Sequence, residues 1–192
     1  PGSAIHDSNG WGQFGKTHYI EPLDPLFRRV GAAFVKRVCA EYGCDDDGGA
    51  WFSADLYNEL VPPSTEPAYL QNASAAVYAA MVDGVGAAAP PPKWLCQAWM
   101  WHSNTKSWGD PQRKAFLSGV PSGGLVMLDL YAEVAPLYNA TDNFYSLQPW
   151  IFSTIYNFGG RSGLYGRLPV RVSGLGVLVR QDSLKLVQSE ST

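Results

Sequence analysis

Apolar residues along this chain recur alternately at helical and at strand spacing. Asp24 followed by Pro25 is a typical helix start, and apolar residues three to four positions apart predict an amphipathic helix that ends at Gly43. The residues of that stripe are Phe27, Val30, Phe34, Val38 and Tyr42. The next segment, 50–59, alternates apolar and polar residues and predicts a strand whose polar face ends in the carboxylate of Glu59.

The alternation of helix and strand continues downstream. A second helix is predicted from about Ser64 to Gly84, with Pro67 in its first turn, where the amide hydrogens lack helical partners in any case. A third helix is predicted over 110–119. Further strands are predicted at 94–101, 125–131 and 150–156. This order implies parallel strands with right-handed crossovers, in either a doubly wound sheet or a (β/α)8 barrel, and no GxGxxG motif supports dinucleotide binding.

Polar residues fall at the carboxyl end of each predicted strand. They are Asn58 with Glu59, His102, Glu133 and Asn157. In a barrel these strand ends converge on one pocket, so the placement favours a barrel. A complete barrel needs roughly 250 residues, whereas this chain has 192 residues and about four or five predicted strands. We therefore expect an α/β fold, an incomplete (β/α)8 TIM-like barrel fragment.

Composition and charge exclude several classes of protein. With 46% hydrophobic and 16% charged residues the chain is not intrinsically disordered, and a net charge of −3 without a basic stripe argues against nucleic-acid binding. No apolar run reaches the roughly 18 residues of a spanning helix, and the first residues lack a signal-peptide pattern, so no membrane contact is expected.

The three cysteines, Cys39, Cys44 and Cys96, lack metal-ligand spacing and are expected to be free thiols. Aromatic residues, at 13%, first indicate a concave ligand site.

Five segments resemble, in order and spacing, the catalytic domain of one family. They are LDPLFRRVGAAFVKRV, SADLYNELVPPSTEPAYL, WLCQAWMWH with Trp108-Gly109, LVMLDLYAEVAPLY and QPWIFSTIYNFGGRSGLYG. The family is that of the alpha-N-acetylglucosaminidases, glycoside hydrolase family 89, and the resemblance covers about residues 9–166. It implies a (β/α)8 catalytic barrel that hydrolyses terminal alpha-linked N-acetylglucosamine with retention and without a metal or other cofactor. The implied partner is a glycan with terminal N-acetylglucosamine, of the heparan-sulfate type or another type.

The resemblance also assigns site residues to positions of this chain. Glu59 matches the general acid/base, which protonates the glycosidic oxygen and later activates water, and Asn58 matches the neighbouring asparagine of the sugar site. Trp99 matches a tryptophan whose indole stacks on the sugar, with core packing as the alternative. Ile155 and Phe158 match positions of the pocket wall. Four other tryptophans are expected to be packing residues: Trp11, Trp51, Trp101 and Trp108.

The second carboxylate that glycoside hydrolysis requires has no match in this chain. Asp55 and Asp129 lie near predicted strand ends and could hold hydrogen bonds of the pocket, but neither resembles the nucleophile, which the family carries on a later strand. After Gly166 the resemblance stops. We therefore expect residues 1–166 to form a partial catalytic barrel and residues 167–192 a divergent tail, non-native or poorly ordered. The chain alone is expected to be inactive.

Two other functions stay open from the sequence. One is a non-catalytic carbohydrate-binding protein that kept Trp99, Asn58 and Phe158, and the other is a barrel glycosidase with a different sugar specificity. An open barrel exposes unpaired strand edges, so aggregation is expected instead of a well-behaved binder. The resemblance implies a lysosomal, vacuolar or secreted location, and the sequence does not indicate an oligomeric state.

Overall fold

A four-stranded parallel sheet, whose strands are connected by helices, forms the centre of the protein. The computed structural model describes residues 4–7, 15–44, 49–132 and 134–153. The strands are β1 (Ile5–Asp7), β2 (His18–Ile20), β3 (Trp51–Ser53), β4 (Lys93–Gln97), β5 (Leu125–Leu130) and β6 (Trp150–Ser153). The helices are α1 (Pro25–Tyr42), α2 (Pro67–Val85), α3 (Trp99–Ser103), α4 (Asp110–Ser118) and α5 (Leu137–Ala140), and a 3₁₀ turn covers Phe144–Ser146.

The predicted parallel α/β arrangement is confirmed in this sheet. Its strand order is β3-β4-β5-β6, each strand pairs in parallel with the next, and helices connect them. Strands β1 and β2 form a separate antiparallel hairpin, which the sequence did not predict. Within the described part of the chain the outer edges of β3 and β6 have no neighbouring strand. The sheet is therefore open, as expected for part of a barrel.

The predicted ends of α1 and α4 also agree with the structure, whereas α2 begins three residues after the predicted start near Ser64. The side chain of Asp24 accepts a hydrogen bond from the Leu26 amide at 2.8 Å and caps α1, with Pro25 in the first turn. Pro67 begins α2, and Gly119 ends α4. These boundaries are local features, in which one side chain or one missing amide hydrogen decides where the helix begins.

The apolar stripe predicted for α1 does not form the buried face of that helix. Val30 and Phe34 are 50% and 69% exposed, whereas Val35 is buried against α2. The cause is close packing of the two helices: a Cβ atom on Gly84 of α2 would lie 2.4 Å from the Cβ atom of Val35. Phe27, Val30 and Phe34 of this stripe instead line a groove of about 580 Å³, together with Tyr57 and Leu60.

The strand predicted over 50–59 ends much earlier, at Ser53. The reason is that side chains bond to the backbone groups that would form the next pair of the ladder. A continued parallel ladder would join the amide of Gln97 to the carbonyl of Ala54. Instead the Gln97 amide donates to the carboxylate of Asp55 at 2.9 Å. The Ala54 carbonyl accepts from the indole nitrogen of Trp94 at 2.7 Å. The chain therefore leaves the sheet after β3.

The strand predicted over 94–101 is also shorter than expected. It ends at Gln97, and after Ala98 the chain turns into the short helix α3, so that Trp99 and Trp101 lie on a helix. For the strand predicted over 150–156, β6 accounts for the residues up to Ser153, and the remainder lies outside the described residues.

Aromatic side chains fill the space between the sheet and the helices. Trp94 contacts Phe116 of α4 with ring centroids 5.7 Å apart, and Trp150 stacks on Tyr138 of α5 at 4.7 Å. Two of the tryptophans expected to pack in the core, Trp101 and Trp108, are fully buried. A third, Trp51, is 55% exposed at the free edge of the sheet, so that expectation was wrong. Trp11 lies outside the described residues.

The cysteine prediction was wrong for two of the three residues. Cys39 and Cys44 form a disulfide with their Cα atoms 4.9 Å apart. Gly43, with φ of 81°, ends α1 and turns the chain back, which brings Cys44 alongside the last turn of the helix. Cys96 is a free, buried thiol as predicted, and burial raises its pKa.

None of the described helices is both long and apolar enough to cross a bilayer.

Candidate active site

The candidate acid/base residue Glu59 lies in a turn six residues after the end of β3. Tyr57 is buried and only 2% exposed, whereas Asn58 and Glu59 are exposed. Asn58 has φ of 39°, a left-handed conformation that asparagine tolerates better than most residues. Neighbouring residues on a strand point to opposite faces, so the two side chains could serve one ligand only if the strand ended there. In the structure the strand already ends at Ser53, so both residues lie outside it and that restriction does not apply.

Helix α3 is bonded to this turn at both of its ends. The indole nitrogen of Trp99, the first residue of α3, donates to the Oε1 atom of Glu59 at 2.9 Å. The hydroxyl of Ser103, the last residue of α3, donates to the backbone carbonyl of Asn58 at 2.9 Å. The structure thus brings together Glu59, Asn58 and Trp99, although Glu59 and Trp99 are 40 positions apart in sequence.

Three rings pack together beside the Glu59 carboxylate, at the carboxyl ends of β4 and β5. Tyr131 contacts Trp99 edge to face, with ring centroids 6.1 Å apart and planes at 84°. It makes a second edge-to-face contact with His102 at 6.1 Å, and His102 also contacts Trp99 at 6.0 Å. Such edge-to-face pairs are favourable beyond the area they bury. We call Trp99, His102 and Tyr131 the aromatic cluster.

The imidazole of His102 favours its neutral form. Burial lowers its pKa, and the positive charge of Arg113 adds to this effect, while a hydrogen bond between the ring and the backbone of Leu130 opposes it. The Nε2 atom is buried and has no hydrogen-bond partner among the described residues. A protonated ring would leave a charged donor unpaired at this atom, which is why the neutral form is preferred.

Behind Glu59 lies a second group of aromatic and acidic side chains, which the sequence did not reveal. Tyr57 contacts Trp108 with ring centroids 6.1 Å apart, and burial raises the pKa of the Tyr57 hydroxyl. The hydroxyl of Tyr69 donates to Glu21 at 2.8 Å, and burial raises its pKa as well. These phenols therefore stay neutral over the physiological pH range.

The other two carboxylates at the strand ends are engaged in backbone hydrogen bonds. Asp129 is fully buried, and its two oxygens accept from the amides of Leu137 at 3.1 Å and Tyr138 at 2.8 Å. Asp55 accepts from the Gln97 amide, and burial raises its pKa. No group of histidine, cysteine and acidic side chains suited to a metal ion occurs in the described ranges.

Not every predicted site residue falls within the described structure. Ile155 and Phe158, the predicted pocket walls, lie outside the described residues, as do Glu133 and Asn157 at the ends of their predicted strands. Sequence reasoning missed Tyr131 as a site residue. Its position directly after a buried strand was a usable signal, but its contact with Trp99 depends on a backbone conformation that the residue type does not indicate.

Comparison with known proteins finds a matching family model and a curated relative. The family model described as the alpha-N-acetylglucosaminidase (NAGLU) tim-barrel domain matches residues 1–187. The human protein alpha-N-acetylglucosaminidase is 40% identical over 162 residues, which cover 82% of this chain and 21% of the human protein. The chain therefore spans about a fifth of the length of the curated relative it matches. Together with the parallel sheet, the match confirms an α/β fold that is part of a TIM barrel.

Proposed function

The chain belongs to the alpha-N-acetylglucosaminidase family, and on that premise we propose that it carries the acid/base half of a retaining glycosidase site. The substrate class is a glycan that ends in alpha-linked N-acetylglucosamine. The observation that carries the proposal is the 2.9 Å hydrogen bond from the Trp99 indole to Glu59, which joins an acid and an aromatic ring at the carboxyl ends of parallel strands.

Glu59 acts as the proton donor and then as the base of this reaction. In the first step it protonates the glycosidic oxygen as the bond to the leaving group breaks, and in the second it removes a proton from the attacking water. The hydrogen bond from Trp99 orients the Glu59 carboxylate through its Oε1 atom. The indole face of Trp99 packs against the apolar side of the sugar ring, and the Asn58 side chain binds a sugar hydroxyl.

The chain alone lacks the second carboxylate and is inactive in our proposal. Retaining glycosidases place a nucleophilic carboxylate about 5–5.5 Å from the acid/base. Asp129 is committed to two backbone amides, and Asp55 is bonded to the Gln97 amide at the end of β4. The buried Asp129 is not available as a nucleophile without breaking its two bonds. Ile155 and Phe158 complete the pocket wall in this proposal.

Hydrolysis and binding assays on the full chain test the proposal separately. With an aryl alpha-N-acetylglucosaminide we expect no release of the aryl group above the buffer rate. Turnover that Glu59→Ala abolishes would mean that another carboxylate serves as nucleophile. Titration calorimetry with N-acetylglucosamine should show weak binding that Trp99→Ala removes and Trp51→Ala, at the free edge of the sheet, leaves unchanged.

The binding assay also distinguishes the proposal from a different class of protein. Tight binding of the sugar that survives Glu59→Ala would indicate a carbohydrate-binding protein in which the acid has no role. Binding of another sugar in preference to N-acetylglucosamine would indicate a barrel of different specificity.

A lysosomal, vacuolar or secreted location is supported by the Cys39–Cys44 disulfide, because disulfides persist in oxidising compartments.

A further inference from the structure

Tyr131 ends β5 in a backbone conformation that aromatic residues seldom adopt. Its φ of 72° lies in the left-handed region, where the Cβ atom of any residue except glycine crowds the backbone. Residues held in this way are concentrated at functional sites, because the surrounding structure must compensate for the strain. The left-handed conformation of Tyr131 therefore marks this turn as a candidate functional feature.

Several contacts around Tyr131 hold this conformation in place. Its carbonyl accepts hydrogen bonds from the amides of Val134 at 3.1 Å and Ala135 at 3.0 Å. On one side the ring of His102 bonds to the backbone of Leu130. Just before the turn, the buried Asp129 carboxylate bonds to the amides that begin α5. The turn is thus fixed from the preceding strand, from the following helix and from α3.

The conformation directs the Tyr131 ring against Trp99. The edge-to-face contact at 6.1 Å, together with the contact between Trp99 and His102, limits rotation of the indole. The indole in turn bonds to the carboxylate of Glu59. A continuous series of contacts therefore leads from the strained turn to the carboxylate.

We propose that Tyr131 is a positioning residue for Glu59: its ring, presented by the left-handed turn after β5, holds the Trp99 indole in the orientation that bonds to the Glu59 carboxylate. The contacts do not depend on the reaction, but the consequence for catalysis rests on the function proposed above. His102 acts with Tyr131, as the second ring against the indole and as the group bonded to Leu130.

The indole N–H resonance of Trp99 measures this arrangement directly and requires no activity. The full chain is labelled with ¹⁵N-tryptophan, the resonance is assigned with Trp99→Phe, and Glu59→Ala defines its position without the acceptor. In Tyr131→Ala we expect the resonance to move most of the way to that position, with hydrogen exchange about tenfold faster. Tyr131→Phe keeps the ring and should restore both the resonance position and the slow exchange.

Control variants separate positioning from loss of the fold. Tyr138→Ala removes a ring that stacks on Trp150 on the helix-covered side of the sheet, so the Trp150 resonance should move and that of Trp99 should not. If Tyr131→Ala fails to fold, Tyr131→Gly removes the same ring and suits the φ of 72°.

Two results would overturn the proposal. One is a Trp99 resonance that stays unchanged in Tyr131→Ala or Tyr131→Gly, and the other is a Tyr131→Phe variant that behaves like Tyr131→Ala. Failure of N-acetylglucosamine to bind, with these resonance changes intact, would contradict only the proposed function.

Discussion

Replacing the buried Asp129 by alanine is expected to destabilise the protein strongly. The side chain is 0% exposed, and its oxygens accept two amide hydrogen bonds, at 3.1 Å from Leu137 and 2.8 Å from Tyr138. A hydrogen bond to a charged group contributes about 1.5–3 kcal/mol, so losing both lowers the free energy of unfolding by roughly 3–6 kcal/mol. Since a typical domain has only about 5–15 kcal/mol of stability, this is a large fraction of the whole.

Urea and thermal unfolding, followed by circular dichroism, measure the loss. At about 2–4 °C per kcal/mol for a domain of this size, the melting temperature of Asp129→Ala should fall by roughly 6–24 °C. Asp129→Asn keeps one acceptor oxygen and should fall between the wild type and Asp129→Ala. Glu66→Ala is the matched control, because Glu66 is exposed and its side chain makes no capping hydrogen bond at the start of α2.

A free energy of unfolding for Asp129→Ala within about 0.5 kcal/mol of the wild type, the range expected for surface substitutions, would contradict this prediction. Such a result would mean that the amides at the start of α5 find other acceptors. It would also remove one of the supports of the strained turn at Tyr131. An equal loss in Glu66→Ala would show that any missing carboxylate destabilises the chain, and that burial is not the cause.

Three further predictions concern other parts of the fold. Burial lowers the pKa of His102 below its ordinary value of 6.5, so the folded state binds fewer protons than the unfolded state as the pH falls through 6.5. The free energy of unfolding should therefore decline between about pH 7 and pH 5, and His102→Gln should reduce that decline in urea titrations at each pH. Thiol titration of the chain unfolded without reductant should find one thiol of the three, because Cys39 and Cys44 are paired, and Cys39→Ser should lower the free energy of unfolding by about 2 kcal/mol. Detection of three thiols would contradict the disulfide. Gly84→Ala should cost about 1–3 kcal/mol by overpacking α2 against α1, and Val35→Gly, which removes the Cβ atom of the closest contact, should recover part of it in the same chain in a double-mutant cycle.

Local sequence patterns were sufficient for the ends of α1 and α4 and for the direction of the sheet. Capping by Asp24, the prolines in the first turns of the helices and the alternation of helix with strand all agree with the structure. These features depend on contacts between residues close in sequence, or on a rule that parallel strands need helical crossovers. The motif that contains Glu59 likewise indicated, from its residue types alone, an acid close to the end of a strand.

Predictions that depended on distant partners were less successful. The alternation of apolar and polar residues predicted a strand that continued to residue 59. It could not show that the Asp55 carboxylate bonds to the Gln97 amide and the Trp94 indole to the Ala54 carbonyl, the two backbone groups that would otherwise pair with each other. The apolar stripe of α1 gave the wrong buried face, because two helices approach most closely where a glycine allows it. In both cases the apolar and polar residues recur as described, but residues from another part of the chain determined which of their side chains and backbone groups make contacts.

By itself, then, the sequence of this protein determined a parallel α/β chain of the alpha-N-acetylglucosaminidase family with an acid at the end of a strand. Only the tertiary structure decided that Trp99 begins a helix, bonds to Glu59 and is held by Tyr131. The physical reason is range. Helix caps and strand alternation are determined by neighbouring residues, whereas a hydrogen bond between side chains 40 positions apart exists only once the sheet has brought the ends of β3, β4 and β5 together.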